Sequence, residues 1–96
     1  MKISVLTPSI PERRRLLYEC IQSVKYQTVE GSSIEHRVWV DERREGCART
    51  MNRLAKQATG DWFIPLADDD LLLPGAIFNL LACAASADVV YAPPLI

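Results

Sequence analysis

The sequence predicts an α/β fold built on a mostly parallel sheet. Short apolar segments alternate with stretches of helical spacing, in the order strand, helix, strand, helix, strand, helix, strand. The polar, charged and proline-bearing residues follow the apolar segments, so they gather at one edge of such a sheet. Helices on both faces make the arrangement three-layered.

The elements follow in order. Ile3-Ser4-Val5-Leu6-Thr7 reads as the first strand, stopped by Pro8 and Pro11. Residues 12–27 carry Leu16, Leu17, Cys20, Ile21 and Val24 at helical spacing, and Gly31-Ser32-Ser33 breaks the chain. His36 to Val40 is the second strand, ending in Asp41-Glu42. A polar loop, Arg43–Gly46, leads to a helix from about Cys47 to Ala58, its inner face Cys47, Ala48, Met51, Leu54, Ala55 and Ala58, with Gly60 as the helix stop. Trp62–Leu66 is the third strand. Pro74 opens a third helix that runs to about Ala85, and Asp88–Tyr91 is a fourth strand before Pro93-Pro94.

Composition adds limits. A chain of 96 residues, 49% hydrophobic and 24% charged, is expected to form one domain over residues 1–96. It has no apolar run of the ~18–20 residues that a membrane span needs. Met1-Lys2 leads straight into a short apolar stretch and Pro8, which is not a signal peptide. Cys20, Cys47 and Cys83 are widely spaced and form no CxxC pair, so they read as small buried hydrophobes in a reducing, cytoplasmic setting. Eleven basic against seven acidic residues give +4 over residues 1–60; five aspartates and no base give −5 over residues 61–96. A metal-bound diphosphate needs both signs. Nucleic acid would call for one extended basic face.

The carboxyl ends of the strands are Thr7-Pro8-Ser9, Asp41-Glu42 and Asp68-Asp69-Asp70. Three adjacent carboxylates repel one another, and a hard divalent cation with oxygen ligands is the usual partner that holds them together. The plainer alternative is a solvated acidic turn that starts the next helix. Arg49 and Arg53 fall one helical turn apart and suit phosphates, or else a solvated helix face. Arg13, Arg14 and Arg15 read as surface charge, although Arg13 opens a helix at the ligand edge. His36, the only histidine, has a structural or surface role away from that edge.

The run Asn52 to Asp70 resembles the nucleotide-binding half of GT-A-fold glycosyltransferases of family 2: an Asn, two turns of helix, Ala58-Thr59-Gly60, the aromatic strand Trp62–Leu66, then a DxD motif, with Pro74 four residues beyond Asp70. Thr7-Pro8-Ser9-Ile10-Pro11-Glu12-Arg13 resembles that family's loop after the first strand, and Val38-Trp39-Val40-Asp41 its second strand with the nucleotide-binding Asp. The likeness covers nearly the whole chain and implies a small Rossmann-like GT-A nucleotide-binding half. Ala67 and Leu54 stand where the family commonly has Asp and Gly, and the strand usual between Asp41 and the Asn helix is missing or shrunk to Arg43–Gly46. Family members run to more than twice this length, their second half supplying the acceptor site and general base. DxD enzymes of the haloacid dehalogenase or Toprim kind fit less well, since the first strand ends in Thr7-Pro8 rather than in Asp or Glu.

The resemblance implies a nucleoside diphosphate sugar as ligand, Mn²⁺ or Mg²⁺ as cofactor and an acceptor of unspecified kind. Thr7, Pro8, Ser9, Asp41, Arg49, Arg53, Asp68 and Asp69 would meet the nucleotide sugar, with Asp41 on the base or ribose. Asp70 and Asp68 would be metal ligands, and Asp69 is the innermost ligand in the alternative register. A module that binds the donor without turning it over is the second possibility. Finally, from Leu71 to Ile96 the only charged residue is Asp88, and the helix around Ile77, Phe78, Leu80, Leu81, Ala82 and Ala84 is apolar nearly all round. Such a helix needs cover on several sides, so the C-terminal third is expected to pack against a second copy or a partner protein.

Overall fold

The structure is a computed structural model and describes residues 1–84 and 87–90. Three strands, β1 (Lys2–Ser9), β2 (Ser33–Val40) and β3 (Trp62–Pro65), form a wholly parallel sheet in the order β2-β1-β3. A 3₁₀ turn (Pro11–Arg13) leads into α1 (Arg14–Lys25); α2 (Cys47–Gln57) joins β2 to β3, and α3 (Ala76–Ala82) follows. Because the chain leaves β1 towards one side and reaches β3 on the other, right-handed crossovers put α1 and α2 on opposite faces.

Alternation along β1 serves both faces. Ile3 and Val5 join Cys20, Val24, Leu66 and Ile77 in one buried cluster on the α1 side. Leu6 is buried outside that cluster, on the face where α2 brings Leu54 and Thr50. Gln27, at the end of α1, ties down the segment after the acidic triplet: its amide donates to the Leu73 carbonyl at 2.8 Å and accepts the Ile77 N–H at 3.1 Å.

Several elements differ from the sequence reading. β1 runs through Pro8 to Ser9 because β3 pairs only with Ile3–Leu6. The Leu66 N–H donates to the Leu6 carbonyl, so even-numbered positions of β1 aim their backbone at β3. Pro8 points the same way, past the end of β3, and its missing N–H costs no ladder bond. Pro65 faces the open edge of β3 by the same alternation. β2 starts three residues earlier than expected, at Ser33, so His36 lies mid-strand. In α2 the buried positions are Thr50 and Leu54, while Cys47 and Ala48 are exposed, because the helix turns its first residues outward and Thr50 Oγ1 donates back to the Gly46 carbonyl. α2 ends in the extended backbone of Ala58 (φ −69°, ψ 141°), so Gly60 is no helix stop. Instead Gly60 lies against β1, where a Cβ would sit 2.5 Å from Ser4 Oγ and 2.7 Å from Ser4 N.

Cys20 is buried as expected; Cys47 and Cys83 are exposed, at the first turn of α2 and just past α3. α3 is capped by left-handed Gly75 (φ 78°), two residues past where Pro74 was expected to start it. Only Ile77 of this helix is buried. Phe78, Leu71 and Leu73 are each more than half exposed. Of the expected fourth strand, Asp88, Val89 and Val90 join no sheet; Tyr91, Ala85 and the tail from Pro93 lie outside the described residues.

Candidate functional site

The crevice lies where the connections diverge, between the carboxyl ends of β1 and β3. In open α/β sheets this is where ligands bind. β1 continues three residues past its last pairing with β3, which leaves a gap beside Pro8 and Ser9. A cavity of about 400 Å³ opens there, lined among others by Pro8, Ser9, Arg13, Asp41, Arg44 and Asp68.

Asp68 is the buried member of the triplet, 5% exposed. Its Oδ2 accepts the Ser9 hydroxyl at 2.7 Å, and its Oδ1 accepts Arg13 Nη1 at 3.0 Å. The same guanidinium lies 3.5 Å from Asp69 Oδ2. Asp69 and Asp70 are exposed. The carboxylates therefore do not share one inward-facing cage, and among the described residues no group of three or more His, Cys, Asp or Glu is gathered closely enough to hold a metal ion by itself. Their hard oxygens still suit Mg²⁺ or Mn²⁺, which protein sites commonly hold with one or two carboxylates plus substrate phosphates.

Asp41 continues the line of β2, its N–H donating to the Ser9 carbonyl at 2.8 Å. The buried carboxylate accepts the backbone N–H groups of Glu45 at 3.0 Å and Gly46 at 2.9 Å. These two bonds, with Glu45 the stronger influence, hold its pKa below the usual carboxylate range. They also shape the loop into α2, where Arg44 (φ 56°) and Gly46 (φ 101°) take left-handed backbone. Arg44 in turn pairs with Glu12.

Ser9, Pro8, Asp41 and Asp68 thus converge as the sequence reading expected. Thr7, Arg49 and Arg53 do not reach this cavity. Thr7 points to the α1 face, its hydroxyl 2.7 Å from His36 Nε2 and near Cys20. Arg53 stacks over Trp39, 4.5 Å from the ring centroid, and pairs with Glu45 at 2.9 Å. Arg49 is exposed beside it and lines a separate hollow with Asn52 and Lys56. Arg13 and Arg44 are the basic residues that line the cavity. Arg13 could have been read from its place directly after the β1 loop, opposite an acidic triplet; Arg44 carries no sequence signal beyond its loop position. His36 fits its structural reading: burial pushes its pKa down to about 4, and its Nδ1 has no hydrogen-bond partner among the described residues.

A parallel sheet of order 2-1-3 with a charged cavity at the switch point defines a small α/β domain of Rossmann-like type. Residues 34–94 match the model of glycosyl transferase family 2, and the chain belongs to that family. No curated protein and no solved structure matches it. Members of the family bind a nucleotide sugar and an acceptor and in general use divalent metals. Among the described residues, no helix is long and apolar enough to cross a membrane.

Proposed function

We propose that residues 1–96 form the donor-binding domain of a glycosyltransferase, taking a nucleoside diphosphate sugar at the carboxyl edge of the sheet and passing the sugar to an acceptor. The observation that carries this is the convergence of Ser9, Arg13, Asp41, Arg44 and Asp68 on one cavity at the switch point, in a chain of this family. The backbone of Pro8 and Ser9 forms a wall for the base. Asp41, already anchored by two N–H groups, has lone pairs left for a ribose hydroxyl or base N–H. The guanidinium groups of Arg13 and Arg44 suit the diphosphate, which planar forked donors bind well.

Asp70 and Asp68, with Asp69, would hold Mn²⁺ or Mg²⁺; when bound, such an ion neutralises the charge that builds on the departing nucleoside diphosphate. Of the three, exposed Asp70 has the freer carboxylate, because Asp68 is engaged by Ser9 and Arg13. Three free cysteines suit a reducing cytoplasm. The exposed Leu71, Leu73 and Phe78 support a homodimer or a partner protein at the C-terminal third.

One observation favours a second reading, binding without turnover. Asp41 and Asp68, the two buried carboxylates of the cavity, are both held by hydrogen bonds, which suits anchoring better than taking a proton from an acceptor. A thermal-shift screen of nucleoside diphosphates and their sugars, with and without Mn²⁺, tests the binding claim. A ligand at 100 times its dissociation constant adds ~2.7 kcal/mol of stability. No shift with any nucleotide removes the proposal. Donor hydrolysis and transfer assays with added acceptor extract then separate the two readings.

A further inference from the structure

The Arg13 guanidinium bridges Asp68 and Asp69, at 3.0 Å and 3.5 Å. Asp68 is nearly sealed from solvent, with a side chain 6% exposed, so its charge is poorly screened and needs a cation close by. Its other oxygen, among the described residues, takes a neutral hydroxyl alone, that of Ser9. Arg13 therefore supplies the positive charge that Asp68 is given by its surroundings in this structure. Arg13 is itself 45% exposed and anchored to no other carboxylate among the described residues, so it can leave without breaking the fold around it.

We propose that Arg13 is a resident counter-ion that competes with the divalent cation for Asp68 and Asp69, and that its release turns it towards the diphosphate. This rests on the donor-site reading above. A guanidinium and a divalent cation on one carboxylate pair stand a few ångströms apart and repel, so both do not keep their full contact with Asp68 Oδ1. Arg13 lines the same cavity as Asp41 and Arg44, so the released guanidinium needs only a change of side-chain rotamer to meet phosphate oxygens there. The arrangement offsets part of the charge of Asp68 and Asp69 before a cation enters. It also links cation entry to the appearance of a free phosphate-binding arm.

The test uses the full chain and Mn²⁺ alone, without nucleotide, with free Mn²⁺ counted by electron paramagnetic resonance. Arg13→Gln removes the charge and keeps a hydrogen-bond donor. It is expected to bind Mn²⁺ about fivefold or more tightly than the parent, the equivalent of losing one ion pair of roughly 1 kcal/mol. Arg13→Lys, which keeps the charge, stays near the parent. Equal or weaker Mn²⁺ binding by Arg13→Gln overturns the proposal. A second measurement needs no variant: phenylglyoxal modification of Arg13, read by mass spectrometry, should quicken when Mn²⁺ saturates the parent chain. A rate that is unchanged or slower overturns it as well, so a variant that fails to fold leaves no escape. If neither chain binds Mn²⁺, this inference and the metal assignment fall together. If a nucleoside diphosphate raises the melting temperature while the Mn²⁺ affinities stay equal, the donor-site reading stands and this inference alone is lost.

Discussion

Gly60→Ala is expected to be among the most damaging single-methyl changes in this chain. The added Cβ would lie 2.5 Å from Ser4 Oγ, 2.7 Å from Ser4 N and 3.0 Å from the Lys2 carbonyl oxygen. Two of these atoms are backbone of the central strand, so no side-chain rotation relieves them. Segment 59–61 must retreat instead. That retreat strains three bonds: Gly60 N–H to Ser4 Oγ at 2.8 Å, Asp61 N–H to the Lys2 carbonyl at 2.7 Å, and Lys2 N–H to Asp61 Oδ2 at 2.9 Å. At about 1 kcal/mol net each, the loss is about 3 kcal/mol. For a domain of this size that lowers the melting temperature by about 12–24 °C. Gly31→Ala is the control: Gly31 has φ +78° and open space around it, so only the left-handed penalty of about 1–2 kcal/mol applies. Melting curves by circular dichroism decide the matter. A Gly60→Ala midpoint no lower than that of Gly31→Ala would refute the close-approach argument.

Four further outcomes are expected. Asp70→Asn should weaken Mn²⁺-dependent binding of a nucleoside diphosphate by about tenfold, as one charge is lost from the triplet; calorimetry showing no change removes Asp70 from the metal site. Asp41→Ala should weaken nucleotide binding about tenfold at saturating metal while leaving metal affinity alone, since it frees the Glu45 and Gly46 N–H groups; equal affinity in variant and parent sinks that role. Stability should fall on acidification in two stages. His36 titrates at about 4 in the fold against an ordinary 6.5, so its share is whole above 6.5 and is lost from there down to 4. Glu35, held at about 2 chiefly by the Ser4 hydroxyl and then the Thr59 N–H, loses its smaller, solvent-screened share between 4.5 and 2; urea midpoints that stay flat from neutral pH to about 3 would contradict this. Light scattering after size exclusion should give more than one 10.8 kDa chain, through the face holding Leu71, Leu73 and Phe78; a clean monomer mass refutes it.

The order of the three strands and three helices was legible from apolar segments set between turn and helix signals; the fourth strand expected at Asp88–Tyr91 was not, since Asp88, Val89 and Val90 join no sheet. Strand ends could be placed within a few residues. That precision sufficed to bring Ser9, Asp41 and Asp68 to one edge. Two kinds of information were not legible. The first is which face of a helix meets the sheet when the apolar stripe is weak: Cys47, Ala48 and Thr50 are similar in size, and only the packed arrangement shows Thr50 inside. The second is the choice of partner by a long basic side chain. Arg53 lies one turn beyond Arg49, yet its stem lays the guanidinium on Trp39, a neighbour set by how α2 folds back against β2. Arg13 reaches Asp68, 55 positions further along the chain, a contact that local spacing does not encode. Gly60 read as a helix stop because that is what a glycine after a helix commonly does; its actual role depends on the approach of Ser4.

The two prolines of the sheet bear on how this cavity could change over time. Pro8 has no N–H to offer on the side where β3 has ended, and Pro65 has none on the outer edge of β3. Pairing added at either place would lack one ladder bond, which disfavours closing the crevice or extending the outer edge by lengthening the sheet. The opening is therefore written into the main chain rather than into the side chains around it. Those side chains are free to be exchanged, one donor for another, without the doorway being sealed.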